Sequence, residues 1–183
     1  MNQINPSKIM QIGLGFWASK TLLTAVNLDL FTHLAGGEKS GKEIQKLLGL
    51  NERSLYDFLD TLVALQFLKR KGLKETSTYS NSDDSDLFLD KNKLTYLGGM
   101  LEMANNRLYP FWNNLEDALK TGEPQIESQS GEASMFEAIY ADPQTLKEFL
   151  HAMGGTLALF FWRVIFNYDF STIQTHCDIG GAG

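Results

Sequence analysis

Apolar residues recur along most of this 183-residue chain at the three- and four-residue spacing of amphipathic helices. The pattern predicts a mainly α-helical fold. The first predicted helix runs from about Lys8 to Asn27, with Ser7 as its N-cap, and it is apolar on more than one side. Such a helix needs cover on several faces, either from its own core or from a partner subunit. Gly13 and Gly15 lie inside it and predict a bend or a close helix crossing.

The segment from Ser40 to Tyr79 predicts two short helices followed by a β-hairpin. Ser40 and Glu43 have the spacing of a capping box, and Gly49 is placed to end that helix. Asn51 is placed to cap the second helix, and alternating residues after Gly72 indicate the second hairpin strand. Helix, turn, helix and hairpin in this order predict a winged helix-turn-helix.

The charges on this segment argue against a nucleic-acid partner. The second helix presents a net acidic set, Glu52, Arg53, Asp57 and Asp60, and the chain carries a net charge of −6. The hairpin does carry four basic residues, Lys69, Arg70, Lys71 and Lys74, a cluster that is also typical of a solvated hairpin. We therefore interpret the winged helix as a scaffold for assembly.

The rest of the chain predicts further helices. Residues 80–86 are predicted to form a polar loop, and helices are predicted over Leu94–Met103 and Tyr109–Leu119. A short helix follows around residues 135–140. A long helix then starts with Asp142 as N-cap and Pro143 in its first turn. Phe149 and Met153 share one face of it, which could line a flat apolar pocket or pack in an ordinary core.

Composition excludes several classes of site. One cysteine and three scattered histidines rule out an internal disulfide framework and give no metal-ligand spacing, so we predict no metal site. The longest apolar run, Met153–Trp162, is too short to span a bilayer, and the N-terminus lacks the pattern of a signal peptide. We expect a cytoplasmic protein with no membrane partner.

The closing residues Thr175–Gly183 predict a short strand that ends in an acid and enters a glycine turn. A strand followed by Gly-x-Gly is typical of the nucleotide site of α/β domains, because the backbone can approach a ligand there. By itself, Gly-Gly-Ala-Gly is more often a loop or linker than a cofactor site. The candidate ligand-binding residues are Asp178, Gly180, Gly181 and Gly183, with Cys177 as a buried strand residue.

In their order, these motifs resemble the N-terminal half of the dimeric S-adenosylmethionine-dependent O-methyltransferases. This family includes plant caffeate and flavonoid enzymes, acetylserotonin methyltransferase, and bacterial enzymes of pigment and antibiotic synthesis. The similar pieces are the winged-helix segment with Leu59–Leu62, Phe111–Leu115, Met135–Glu137, Asp142–Pro143 with Phe149–Met153, and Tyr168–Ser171 leading to Asp178–Gly183.

The resemblance implies a fold and a division of the chain. We expect a winged-helix dimerisation domain with its N-terminal helix at residues 1–93, and a helical connector lining the substrate cleft at residues 94–170. Residues 171–183 would begin a Rossmann-like cofactor-binding domain. The homodimer would form through the N-terminal helices and the winged helix, and the first helix would reach over the partner's substrate cleft.

The resemblance also implies chemistry. S-adenosylmethionine would be bound by Asp178, Gly180, Gly181 and Gly183. A small aromatic or polyene hydroxyl acceptor would contact Met103, Phe149 and Met153. The family's catalytic histidine and ribose-binding acid lie further downstream, so we assign no catalytic residue and expect these 183 residues to be inactive alone. Gly154 and Gly155 stand where plant members carry polar residues.

Two other functions remain open at this point. One is a non-catalytic dimerisation module that pairs with itself or with a longer relative. The other, favoured less by the acidic second helix, is a winged-helix DNA-binding regulator. The sequence does not name the acceptor molecule.

Overall fold

The structure is a computed structural model that describes residues 4–125, 135–169, 171, 173–175 and 177, with side chains omitted at 74, 135, 136, 138 and 156–166. The described chain is mainly helical with one small sheet, as predicted. It divides into two compact units, Met1–Leu94 and Thr95–Gly183. The three-part division predicted from the resemblance stays a prediction.

The first unit contains six α-helices among its described residues, a short 3₁₀ helix at Lys74–Thr76 and a three-stranded sheet. The helices are α1 (Ser7–Gly13), α2 (Gly15–Asn27), α3 (Leu30–Leu34), α4 (Gly41–Leu48), α5 (Glu52–Ala64) and α6 (Asp83–Phe88). The strands are β1 (Lys39–Ser40), β2 (Leu68–Lys71) and β3 (Thr78–Asn81). They are antiparallel in the order β1-β3-β2.

The N-terminal helix differs from its prediction in two details. Ser7 is inside α1, and the side chain of Asn5 accepts its amide hydrogen at 2.7 Å, so Ser7 is not the N-cap. Leu14 separates α1 from α2, which confirms the bend predicted from Gly13 and Gly15. By length and composition, Ser7–Asn27 is a helix that could cross a membrane.

The caps predicted for the next two helices are confirmed. Ser40 and Glu43 form the capping box, whose hydrogen bonds lower the pKa of the Glu43 carboxyl. Gly49 ends α4 in the left-handed conformation, with φ of 63°. The side chain of Asn51 accepts from the amide of Arg53 at 2.9 Å. These local signals fix where α4 and α5 begin and end.

The core of the first unit lies between α2, α3, α4, α5 and the sheet. It contains the buried apolar residues Leu23, Ala25, Val26, Leu30, Phe31, Leu34, Ile44, Leu55, Leu59, Leu62, Leu68 and Tyr79. Alternate residues of β3 point inward, as strand geometry requires. Asn81 at its end donates from Nδ2 to the Phe31 carbonyl at 2.8 Å.

A polar cluster joins α5 to the hairpin. The buried Tyr79 hydroxyl donates to Oδ1 of Asp60 at 2.9 Å, and Arg70 donates to Oδ2 at 2.7 Å. Tyr79 and Arg70 lie opposite each other on β3 and β2. Burial, with the hydrogen bond to Asp60 and the charge of that carboxylate, raises the pKa of Tyr79 to about 12.

The other two basic residues of β2 are also paired. Lys69 contacts Asp83 at 2.6 Å, and Lys71 contacts Glu38 at 2.9 Å. The carboxyl pKa values of Asp83 and Glu38 are lowered by these lysines. The basic cluster predicted for the hairpin is therefore an alternating set of ion pairs at Lys69, Arg70 and Lys71.

The polar loop predicted for residues 80–86 is wrong. β3 extends to Asn81, and the side chain of Ser82 caps α6 by accepting from the amide of Ser85 at 3.3 Å. The acids in the first turn of α6 suit the positive end of the helix dipole. Serine and aspartate are typical of loops and of helix starts, so composition alone misplaced this segment.

In the second unit, the described helices are α7 (Gly98–Met103), α8 (Tyr109–Trp112), α9 (Leu115–Thr121), α10 (Met135–Ala141) and α11 (Pro143–Asn167). A π-helical turn, Ala104–Leu108, connects α7 directly to α8. Pro110 cannot donate to the carbonyl of Asn106, four residues back, and the helix widens ahead of it. The two helices predicted over 94–103 and 109–119 are thus differently divided.

Both ends of the second unit also correct the predictions. The helix predicted from Leu94 begins only at Gly98. A Cβ on Gly98 would lie only 2.2 Å from the ring of Tyr96. Residues two apart in a helix do not face each other, so Tyr96 lies outside the helix. In the predicted closing strand, the described residues 173–175 and 177 are not in a strand, and Cys177 is exposed. A strand needs a neighbour to pair with.

We predict that Asp60→Ala lowers the free energy of unfolding by about 1–3 kcal/mol, because a buried hydroxyl left without its acceptor is costly. The matched control is Asp57→Ala, exposed on the same helix, which gains the same helix propensity and should change stability by less than about 0.5 kcal/mol. Urea denaturation of both variants measures the difference. Equal midpoints for the two variants would contradict a stabilising role for the hydrogen bonds that Asp60 accepts.

The pH dependence follows from the same cluster. The folded protein raises the pKa of Tyr79 from 10.0 to about 12, so it favours the neutral phenol. This contribution to stability is fully present below pH 10 and is lost as the pH rises to about 12. In Tyr79→Phe, the loss of stability over that range should be smaller, as measured by urea midpoints at each pH.

Candidate functional site

Three of the predicted site residues lie in the described part of the second unit. Met103 is the last residue of α7, and Phe149 and Met153 lie on α11. The predicted cofactor residues Asp178, Gly180, Gly181 and Gly183 lie outside the described residues, so their role stays a prediction. The candidate site is therefore built from the contact between α7 and α11.

Glycines bring these two helices into backbone contact. A Cβ on Gly99 would lie 2.8 Å from the carbonyl oxygen of His151, and one on Gly155 would lie 3.0 Å from the carbonyl oxygen of Tyr96. Residue numbers increase from 151 to 155 along α11 where they decrease from 99 to 96 along the facing segment. The two helices α7 and α11 are therefore antiparallel. Backbone atoms cannot move aside as a flexible side chain can.

The three candidate residues lie on the two helices that form this crossing. Met103 is one turn beyond Gly99 on the same face of α7 and is only 7% exposed. In the antiparallel arrangement it lies at the level of α11 about one turn before His151. Phe149 and Met153 are half-buried and one turn apart on α11. All three side chains are at least partly shielded from solvent, and the pocket that they would share stays a prediction.

Two features at this crossing escaped the sequence analysis. The Tyr96 hydroxyl donates to Oε1 of Glu102 at 2.8 Å, which ties the segment before α7 to its last turn. The π-helical turn starts directly after Met103, and such turns are frequent at functional sites. No pattern in the sequence predicts the turn, although Pro110 is a signal of disturbed helical bonding.

The start of α11 is fixed by a predicted cap. Asp142 accepts from the Thr145 amide at 2.9 Å and from the Thr145 hydroxyl at 2.6 Å, and these bonds lower its carboxyl pKa. The cap sets the phase of the helix and therefore the direction in which Phe149 and Met153 project.

Titratable groups do not form a metal centre in the part of the chain that the structure describes. No group of three or more histidine, cysteine, aspartate or glutamate side chains comes together there.

Comparison with known proteins gives two family matches. Residues 10–91 match an O-methyltransferase dimerisation domain, and residues 112–183 match an O-methyltransferase domain. The chain therefore belongs to the O-methyltransferase family.

Individual relatives agree with this assignment. The tetracenomycin polyketide synthesis 8-O-methyl transferase TcmO of Streptomyces glaucescens is 39% identical over 97% of this chain and 50% of that protein. The S-adenosyl-L-methionine-dependent methyl transferase PigF of a Serratia species is 32% identical over 91% of this chain and 47% of that protein. The chain spans about half the length of the curated relatives it matches.

Solved structures share the fold. The crystal structure of human N-acetylserotonin methyltransferase in complex with SAM matches with a TM-score of 0.79 and 23% identity, over 93% of this chain and 51% of that one. At this identity, the match establishes the helical fold and does not transfer a ligand.

We predict that Gly155→Ala destabilises the protein by about 1–3 kcal/mol, because the new methyl group meets the backbone of the segment before α7. The control is its neighbour Gly154, where nothing among the described atoms lies within 4 Å of a Cβ. Gly154→Ala should stabilise the helix by up to about 1 kcal/mol. Thermal unfolding followed by circular dichroism separates them, and a stabilised Gly155→Ala would argue against the close crossing.

Proposed function

We propose that this chain is the dimerisation and acceptor-binding part of an S-adenosylmethionine-dependent methyltransferase that acts on a hydroxyl of a small aromatic or polyene molecule. The observation that carries the proposal is the close α7–α11 crossing at Gly99 and Gly155, in a chain that matches both O-methyltransferase domains. The printed names of two relatives, the tetracenomycin polyketide synthesis 8-O-methyl transferase TcmO and the acetylserotonin O-methyltransferase of Gallus gallus, support such an acceptor.

The first unit would be a winged helix that serves assembly into a homodimer. Helices α4 and α5 with the β2–β3 hairpin have the required order, and the matching family model is a dimerisation domain. The pairing of Lys69, Arg70 and Lys71 with carboxylates leaves these three charges little attraction for phosphates. This arrangement favours assembly over the DNA-binding alternative.

In the second unit, Phe149 and Met153 would hold the flat face of the acceptor, and Met103 would close the pocket from α7. Polarizable sulfur atoms and an aromatic ring bind such a face by dispersion without demanding one orientation of polar groups. The helix crossing would hold these side chains at a fixed spacing, so the acceptor hydroxyl would be presented in a restricted position.

The cofactor would lie against the glycine turn formed by Gly180, Gly181 and Gly183, with Asp178 at its edge. S-adenosylmethionine, when bound, supplies an activated methyl group to the acceptor oxygen. These residues lie outside the described part of the chain, so we propose no geometry for them. A cytoplasmic location and the absence of membrane and nucleic-acid partners belong to the same proposal.

A non-catalytic dimerisation module is the second candidate. The extensive apolar surface of α1, with Ile9 and Ile12 both more than 70% exposed, favours an assembly role whether or not the protein is catalytic. The intact mass of the natural gene product separates the two. A mass about twice that of this chain favours the methyltransferase, since the matched relatives are about twice as long.

We predict that the 183-residue chain alone binds no S-adenosylmethionine at micromolar concentration. The short glycine turn without the remainder of a Rossmann-like domain cannot enclose a nucleotide-sized ligand. Isothermal titration calorimetry of the purified chain should therefore give no binding heat. A clear micromolar isotherm would overturn this part of the proposal.

We predict that Phe149→Ala in the natural gene product raises the KM for a phenolic acceptor by about tenfold, because an aromatic contact is lost. The KM for S-adenosylmethionine should stay unchanged. The control is Lys147→Ala, exposed on the same helix, which should leave both constants unchanged. Transfer of a radiolabelled methyl group to a panel of phenols measures both, and an unaltered acceptor KM in Phe149→Ala would contradict the proposed pocket.

A further inference from the structure

The run formed by the first two helices is buried at its C-terminal end and exposed at its N-terminal end. Leu23, Ala25 and Val26 in the second half of α2 are at most 5% exposed. None of the residues of α1, all of which the structure describes, is buried. The Trp17 amide bonds to the Leu14 carbonyl at 3.2 Å, so α1 and α2 form one run of helical turns with a bend. This run carries apolar side chains well beyond the core that anchors it.

A groove opens at the buried end of this run. It has a volume of about 260 Å³ and is lined by Thr24, Leu28, Leu50, Ser54, Leu55 and Phe58. An apolar cavity of about 150 Å³ is enough to hold a benzene molecule, so the groove has room for one long apolar side chain. Its lining is mostly apolar, and its two hydroxyl residues lie on α2 and α5.

One side of the run repeats the same kind of surface along its whole length. Met10, Trp17, Thr24 and Leu28 are spaced by seven, seven and four residues, which places them on one side of a helix. Met10 is 53% exposed and Trp17 is 63% exposed. Trp17 is steadied by an edge-to-face contact with Phe16, with ring centroids 5.5 Å apart.

Two residues complete this face without adding an unpaired polar group. Leu14 is 37% exposed at the bend. The hydroxyl of Thr21 donates to the Trp17 carbonyl at 2.8 Å, so its polar atom is already bonded within the helix. We call the six residues Met10, Leu14, Trp17, Thr21, Thr24 and Leu28 the seam face.

The seam face is self-complementary about its middle. In an antiparallel pair of these helices centred on Ser19, Met10 lies opposite the partner's Leu28. Leu14 then lies opposite the partner's Thr24, and Trp17 opposite the partner's Thr21. A two-fold axis requires this reciprocity, because each contact must occur twice. Large residues at one end of the face meet smaller residues and the groove at the other.

The same copy cannot fill its own groove with Met10. The rise of an α-helix places Met10 about 27 Å from Leu28 along the run, and the single bend at Leu14 does not reverse the chain. A lipid bilayer is also a poor occupant of the run. Its second half is committed to the core, and Lys20 would lie near the middle of the span, where a charge costs about 3 kcal/mol.

We infer that the seam faces of two copies pack antiparallel and that Met10 of each copy enters the α2–α5 groove of the other. Methionine is suited to this because its flexible thioether adapts to an irregular cavity. The inference rests on the homodimer in the proposed function and assigns its contact residues. It places the contact of α1 on the first unit of the partner copy.

Cross-linking of mixed cysteine variants tests this arrangement. In a Cys177→Ser background, which removes the exposed native thiol, Met10→Cys is mixed with Leu28→Cys and treated with a short bismaleimide. The control mixture pairs Ile9→Cys, 75% exposed but on another side of the helix, with Leu28→Cys. We expect the Met10 mixture to form cross-linked dimer at least about tenfold faster, because only that pair is held face to face.

A second variant measures the equilibrium. Trp17→Asp alters an exposed side chain and should leave the fold intact, as checked by circular dichroism. It should raise the dimer Kd at least about tenfold, since a charge then lies at the centre of the apolar contact. Ser54→Arg, at an exposed position on the groove, should do the same by blocking entry of Met10. Sedimentation equilibrium measures both.

The outcomes separate the inference from the proposed homodimer. A wild-type dimer that is insensitive to Trp17→Asp and Ser54→Arg, or equal cross-linking in the two mixtures, would overturn the seam face and leave the homodimer intact. A wild-type monomer at micromolar concentration would overturn both. A monomer that co-sediments with neutral phosphatidylcholine vesicles would show that the exposed run serves a membrane instead, which also overturns the inference.

Discussion

Burial of the second half of α2 is the packing interaction on which the first unit depends. Leu23 and Val26 enter the core with Phe31 and Leu55, and this contact sets the direction of the whole N-terminal run. A helical run that is anchored at one end carries its other end away from the core. The apolar side chains of α1 are therefore exposed because of how the core is built. The exposed surface on which the proposed assembly rests is therefore a consequence of the same packing that makes the unit stable.

Much of this fold could be predicted where the signal lies within one turn of helix. Ser40 with Glu43, and Asp142 before Pro143, are local hydrogen-bonding patterns, and the structure confirms them. Ser82 was missed because its polar surroundings suit a loop and a helix start equally well. The winged-helix interpretation depends on how the elements meet in space, which local patterns do not encode, and it stays a prediction.

The candidate site could be predicted only in part for the same reason. The spacing of Phe149 and Met153 is enough to place them on one face, but nothing in the sequence shows that α7 lies beside them. The contacts of Gly99 and Gly155 with the opposing backbone join positions more than fifty residues apart. A glycine that permits such a contact has the same sequence signal as one that merely weakens a helix. The glycine turn near the C-terminus remains a prediction from resemblance.

The ion pairs on β2 determine the electrostatic field that an approaching charged molecule meets. Lys69, Arg70 and Lys71 each sit within 3 Å of a carboxylate oxygen, so each charge is half of a short dipole. The field of a dipole decays faster than that of an isolated charge, and salt screens what remains over about 10 Å. An approaching polyanion would meet a nearly neutral strand. The hairpin is basic in sequence, but in the folded structure its paired charges produce only a weak field. The order of its secondary-structure elements alone is therefore a poor guide to its partner.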